Sequence, residues 1–240
     1  MRLDNFLVEN KIFESRTKAQ QAIERGEIFI KNKPINKCSF VADNLQLADV
    51  EYRYQSKFVS IGGYKIEKAL LDFSFSVENL IVADIGASTG GFTDCLLQRG
   101  AKKVFVVDLN DSLLHSKLKK DNRVVSIIKN ARELKVSDFD CKLDLIVADL
   151  SFISITYVLQ TFSELLSANK HLLVLIKPQF ETFKKKHLKN GIIRDKKLQE
   201  EICNSVINFS LSCGFSLVAL TNAPILKDKN VEFLLLLRKN

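Results

Sequence analysis

The sequence lacks any apolar run approaching the ~20 residues that a membrane-spanning helix needs. It also lacks the apolar core of a signal peptide, because its first residues, MRLDNFLVENK, carry acids where that core would sit. The expectation is a cytoplasmic protein that engages no membrane. No Cys-x-x-Cys pair occurs. Cys38, Cys95, Cys141, Cys203 and Cys213 are odd in number, so they read as reduced thiols, several in the core, rather than as a disulfide framework or a zinc site. No metal is implied. The glycine-rich stretch near residue 86 matches neither the Gly-x-Gly-x-x-Gly dinucleotide fingerprint nor the Walker loop, so nothing in it demands a pyrophosphate.

What is present is globular. Hydrophobic residues make up 46% and charged residues 27% of 240, enough for one full α/β domain plus a small appendage. The formal net charge of +8 points to a polyanionic partner, either nucleic acid or an acidic membrane surface, which charge alone cannot separate.

The most informative stretch is Leu80 to Phe92, LIVADIGASTGGF. Its apolar part reads as a strand buried on both faces, as in a parallel sheet. Asp84 and a loop of small residues follow at the carboxyl end. Gly86, Gly90 and Gly91 let the backbone turn and approach a ligand, and a helix beginning near Gly91 presents free N–H groups there. The next buried strand, Val104 to Val107, ends in Asp108, where an acid commonly holds ribose hydroxyls. A glycine-rich turn without phosphate recognition, followed by a ribose-binding acid, suits S-adenosylmethionine. The residues expected to hold it are Asp84, Gly86, Ser88, Gly90, Gly91, Asp108, Asn130 and Asp149.

Beyond Asp108 the pattern alternates. It predicts a helix over 111–120 and strands over 124–128, 143–148 and 171–176, the last two ending at Asp149 and Lys177. Helices over 155–166 and 195–213 and strands over 216–221 and 231–237 complete it, the last strand opening with Glu232. Such alternation implies a doubly wound, Rossmann-like sheet with its ligands at the carboxyl ends of the strands. A basic run over 182–199, with Lys184, Lys185, Lys186, Lys189, Arg194, Lys196 and Lys197, reads either as a solvated loop or as a place for a phosphate backbone.

The first fifty residues are separate in character. They predict an amphipathic helix over 2–10, a second over 15–25 whose Arg16, Lys18 and Arg25 face solvent, and short strands over 27–30 and 45–50 around a turn-rich segment over 31–38. This order, RLDxxL, SRxxAxxxI, Gly26 and a short strand, resembles the alpha-L RNA-binding domain, with Arg2, Arg16 and Lys18 at its phosphate-contacting positions. The usual strand-end Val-Asn-Gly is here Ile30, Lys31 and Asn32. The expected division is an α+β RNA-binding domain with linker over 1–58 and a methyltransferase domain over 59–240.

DIGASTGGFTDCLLQRGAKKV, ADLSFIS, LIKPQFE, KNGIIRD and NVEFLL occur in that order. Together they resemble the hemolysin A (TlyA) family of rRNA 2′-O-ribose methyltransferases. The resemblance implies S-adenosylmethionine as methyl donor, a cytidine ribose of ribosomal RNA as acceptor, and ribosomal RNA or ribosomal subunits as partner. It also implies a catalytic set that falls on Lys65, Asp149, Lys177 and Glu232. Lys177 would act as general base in its neutral amine form, and Asp149 would orient it. Two departures stand out: Asn110 and Ser112 occupy glycine positions after Asp108, and Ile61 replaces an arginine. Three rival readings remain: a membrane-active toxin, a non-catalytic RNA-binding protein of the same fold, and methylation of another acceptor. A base-amino methyltransferase would be expected to carry an Asn/Asp-Pro-Pro-aromatic loop where Asp149 is followed by Leu-Ser-Phe.

Overall fold

Residues 1–24, 26–43, 45–52, 57–182, 191–224 and 229–240 are described by a computed structural model. They divide into two units, Met1–Lys57 and Phe58–Asn240.

In the first unit, helix α1 (Leu3–Glu9) and helix α2 (Arg16–Glu24) bury Leu3, Leu7, Ala19, Ala22 and Ile23 against Ile28 of strand β1 (Ile28–Ile30). Strand β1 is central, flanked antiparallel by β2 (Lys33–Ile35) and β3 (Val50–Tyr52). Two expectations are corrected. The segment expected as turn contains β2, which tolerates Pro34 because it is an edge strand. Lys31 and Asn32, at φ 47° and 63°, make the two-residue left-handed turn into it, the geometry that right-handed strand twist favours. The strand expected over 45–50 is instead a 3₁₀ turn, Leu47–Asp49, and pairing starts only at Val50. Asp49 accepts from the Gln46 N–H and holds that turn closed. Arg25 lies outside the described residues.

The second unit begins with helix α3 (Gly62–Asp72) and runs through β4 (Ile81–Ile85), α4 (Gly91–Gln98), β5 (Lys103–Asp108), α5 (Ser116–Lys119) and β6 (Val124–Ile128). It continues with β7 (Leu143–Ala148), α6 (Thr156–Leu165), β8 (Leu166–Ile176), α7 (Pro178–Glu181), α8 (Lys196–Ser212), β9 (Phe215–Asn222) and β10 (Phe233–Lys239). The seven strands lie in the order β6-β5-β4-β7-β8-β10-β9. All are parallel except β10, which runs antiparallel to both neighbours. Alternating strand residues feed two cores, one holding Ala83, Ile85, Phe105 and Val174, the other Val82, Val104, Val106 and Leu173. Because both faces are covered, the strands read as continuous apolar runs, and the doubly wound expectation holds.

The helix expected over 111–120 shrinks to one turn, α5. Asn110 Oδ1 accepts from Ser112 N at 3.1 Å and from Ser112 Oγ at 2.6 Å, a local closure that competes with helix formation. Helix α8, by contrast, starts as expected, with Asp195 accepting from the Lys197 and Leu198 N–H groups. Lys184, Lys185, Lys186 and Lys189 of the basic run lie outside the described residues, while Arg194, Lys196 and Lys197 are exposed.

Candidate active site

The chain winds outward from β4 through β5 to β6 and then returns to β7 on the other side of β4, so the carboxyl ends of β4 and β7 flank a switch in winding direction. A cavity of about 270 Å³ opens there. Strand β4 supplies Asp84, the residue after β7 is Asp149, and the residue after β8 is Lys177. The antiparallel strand adds the last member. Phe233 pairs with Ile176, so Glu232, just before β10, arrives at the same end as Lys177 although β10 runs the opposite way.

These placements bring the four expected catalytic residues into one chain of charge. Lys177 Nζ lies 2.5 Å from Asp149 Oδ1, Lys65 Nζ lies 4.0 Å from Asp149 Oδ2, and Lys65 Nζ lies 2.6 Å from Glu232 Oε2. The side chains of Lys177 and Lys65 are only 9% and 12% exposed. Cations so withdrawn from water require partners, and the two carboxylates neutralise them. Lys65 has its reason for standing in the first turn of α3, where the helix dipole alone disfavours a cation. Lys65, Asp149 and Lys177 line the cavity.

The expected cofactor residues divide. Asp84, Gly86, Ser88, Gly91 and Asp149 form part of the cavity wall, whereas Gly90, Asp108 and Asn130 do not. Gly90, at φ 87°, is a packing position: a Cβ there would lie 2.2 Å from Leu118. Asp108 braces the loop. Its Oδ2 accepts from Ser88 N at 2.8 Å and its Oδ1 from Leu109 N at 2.7 Å. Asn130 caps a 3₁₀ turn, accepting from Arg132 N.

Asp84 is the unusual group. It is fully buried, and Thr93 donates to Oδ2 through both N–H (2.9 Å) and Oγ1 (2.6 Å), while Oδ1 has no hydrogen-bond partner. Burial pushes its carboxyl up to about 7, with Asp149 and Asp108 adding to the rise and the Thr93 bonds only partly opposing it. A buried acceptor left bare in a cavity wall fits a cationic ligand group, such as the ammonium of S-adenosylmethionine. Thr93 and Ser151, which donate to or accept from these groups, escaped the sequence reading. Ser151 was legible only as a hydroxyl two residues past a strand-end acid.

The sequence pattern of the FtsJ-like methyltransferase family matches residues 58–240. The chain belongs to this family. A second pattern, the S4 domain, matches residues 1–42, ahead of the FtsJ-like part. "Hemolysin A" of Brachyspira hyodysenteriae is 43% identical to the chain over 98% of both proteins. The protein named 16S/23S rRNA (cytidine-2'-O)-methyltransferase TlyA in Mycobacterium tuberculosis (strain ATCC 25618 / H37Rv) is 34% identical, over 99% of this chain and 89% of that protein. A solved Streptococcus thermophilus structure bearing a hemolysin name is 34% identical and superposes with a TM-score of 0.78, over all of this chain and 88% of that one. The hemolysin A resemblance read from the motifs of residues 59–240 is therefore met along essentially the whole length.

Proposed function

We propose that the protein transfers a methyl group from S-adenosylmethionine to the 2′-hydroxyl of a cytidine ribose in ribosomal RNA, acting in the cytoplasm on that RNA or on ribosomal subunits. The observation that carries the reading is the Glu232–Lys65–Asp149–Lys177 chain at a cavity that also presents the bare oxygen of Asp84. The acceptor follows the printed activity of the M. tuberculosis relative.

The donor, when bound, supplies an electrophilic methyl carried on a sulfonium. Asp84 holds its ammonium, while Gly86, Ser88 and Gly91 offer backbone at the cavity wall. Gly86 also keeps the loop after β7 close, because a Cβ there would lie 2.9 Å from the Asp149 carbonyl oxygen. Asp108, whose two oxygens each accept one bond, keeps lone pairs for ribose hydroxyls. Lys177, as a neutral amine, receives the proton of the 2′-hydroxyl, and Asp149 stabilises the ammonium that results. Lys65, tied to Glu232, neutralises the other face of Asp149. Fixing both reactants supplies the remainder of the rate, since proximity can contribute ~7–11 kcal/mol. In the first unit, Arg2, Arg16 and Lys18 hold phosphates of the RNA; in the second, Arg194, Lys196 and Lys197 add exposed positive charge.

The hemolysin names belong to relatives. Among the described residues no helix is long and apolar enough to cross a membrane, and the buried ion chain is suited to proton handling.

The test is methyl transfer to ribosomal RNA with Lys177→Ala and Lys177→Arg. Both are expected to lose at least ~10²-fold in rate, the lower range for a general base, with binding of S-adenosylhomocysteine nearly unchanged. A guanidinium cannot take the proton at ordinary pH. Near-native turnover by the arginine variant would remove Lys177 from the base role.

A further inference from the structure

Lys177 Nζ has a partner outside the set of four. It donates to Ser151 Oγ at 2.8 Å, while Asp149 Oδ1 stands 2.5 Å away. Ser151 lines the same cavity, two residues beyond Asp149 in the loop after β7.

An amine nitrogen is tetrahedral, so Nζ has three directions besides its bond to carbon. All three are N–H in the ammonium; in the neutral amine one becomes a lone pair. A carboxylate only accepts, and the Ser151 hydroxyl oxygen is placed to accept as well. One N–H is thereby directed at Ser151, while the Asp149 carboxylate, whose Oδ1 makes no hydrogen bond, holds Nζ by charge alone. The lone pair is left with the directions that Ser151 does not take. With Asp149 alone, Nζ could turn about its bond to carbon and aim the lone pair elsewhere.

We propose that Ser151 is a positioning residue for methyl transfer, which fixes one N–H of Lys177 beside the Asp149 carboxylate so that the proton-accepting direction of Nζ stays free for the ribose 2′-hydroxyl. The O–H bond of the ribose breaks, an N–H bond forms at Nζ, and the resulting ammonium keeps its hydrogen bond to Ser151 and its ion pair with Asp149. This inference rests on Lys177 being the base.

The loop carrying Ser151 is held by other bonds. Glu181, in α7, accepts from Ile155 N at 2.9 Å and from Ser154 Oγ, and Ser154 Oγ also bonds Thr156 Oγ1 at 2.6 Å. Burial raises the Glu181 carboxyl, while those bonds oppose the rise. Ser151 itself is exposed. Removing its hydroxyl should therefore free Nζ without releasing the loop.

The experiment compares full-length Ser151→Ala, Ser151→Thr and Lys177→Ala in steady-state methylation of ribosomal RNA, with S-adenosylhomocysteine binding measured calorimetrically on each. Ser151→Ala should lower kcat by ~10- to 100-fold, the scale of a lost orientation at a reacting group, with KM for RNA and the product's Kd within about twofold of native. Ser151→Thr, which keeps the hydroxyl, should recover most of that loss. A native kcat in Ser151→Ala overturns the proposal, and so does a raised KM with unchanged kcat, which would make Ser151 a substrate contact. Equal impairment of the threonine and alanine variants, both still binding product, overturns it too, because the hydroxyl would not be the operative group. Activity in Lys177→Ala would instead sink the base assignment itself, whatever Ser151 does.

Discussion

Each unit of this protein buries an aspartate completely, and the two are treated in opposite ways. Asp4, in α1, accepts from Arg2 Nε at 3.1 Å, Arg16 Nη2 at 3.0 Å and Gln20 Nε2 at 2.6 Å. Burial alone would raise its carboxyl, but the bonds from Gln20, Arg16 and Arg2 outweigh that and hold it well below the usual carboxylate range. Asp84 has only Thr93, on one oxygen, and burial carries it up to about 7. A buried acid saturated with donors is a structural brace; a buried acid with one bare oxygen has an acceptor to spare, which under the proposed function a ligand takes. The cations follow the same division. Arg2 and Arg16 remain 50% and 56% exposed and so keep donors that solvent reaches, as the proposed function requires of phosphate contacts, whereas Lys65 and Lys177 are withdrawn from water.

The sharpest way to break this contrast is to remove each acid. Asp84→Ala should weaken S-adenosylhomocysteine binding by ~10- to 100-fold, the worth of a hydrogen bond to a charged group at about 1.5–3 kcal/mol. Native affinity by calorimetry would make Asp84 a second brace. Asp4→Ala should leave cofactor affinity untouched and instead destabilise the first unit by about 2 kcal/mol. That is below the penalty for a fully buried orphaned charge, because the freed arginines reach solvent. Hydrogen exchange of the α1 and α2 amides in the full-length protein reads the effect, and unchanged protection would deny Asp4 its role.

The pH dependences should have opposite signs. Asp4 contributes its full stabilisation above the ordinary aspartate value of 3.8 and loses it as pH falls below that. Asp84 keeps its proton in the folded state up to about 7, but the unfolded chain loses it near 3.8, so this group makes stability fall as pH rises between those values. A cationic ligand needs the ionised form. Product affinity should therefore climb by at most about tenfold per pH unit toward 7 and then level off, and Asp84→Asn should flatten the profile. A flat profile in the native protein would contradict the assignment. The smallest effect concerns the exposed cations. Arg16→Ala with Lys18→Ala should reduce the slope of log RNA affinity against log salt by roughly one to two units, and an unchanged slope would shift the phosphate contacts to Arg194, Lys196, Lys197 and their neighbours.

By itself the sequence determined the strands and their chemistry-bearing ends. Ile81–Ile85, Lys103–Asp108 and Leu143–Ala148 were legible because strands buried on both faces are apolar through their middle, and their charges, Asp84, Lys103, Asp108 and Asp144, stand within one residue of a strand end. Asp84, Asp149, Lys177 and Glu232 were recognisable on that ground and through motif order. Where local polar bonding competes with the periodic pattern, the sequence misled: Asn110 and Ser112 cut short a helix, and Asp49 closed a turn in place of a strand. Only the tertiary structure decided which residues of the glycine loop meet the cavity, because Gly90 and Gly91 look alike in sequence while only Gly91 lines it. It alone also decided the state of each acid. The carboxyl of Asp4 and that of Asp84 are chemically the same group, and what separates them is how many donors the fold carries to each oxygen once water is gone.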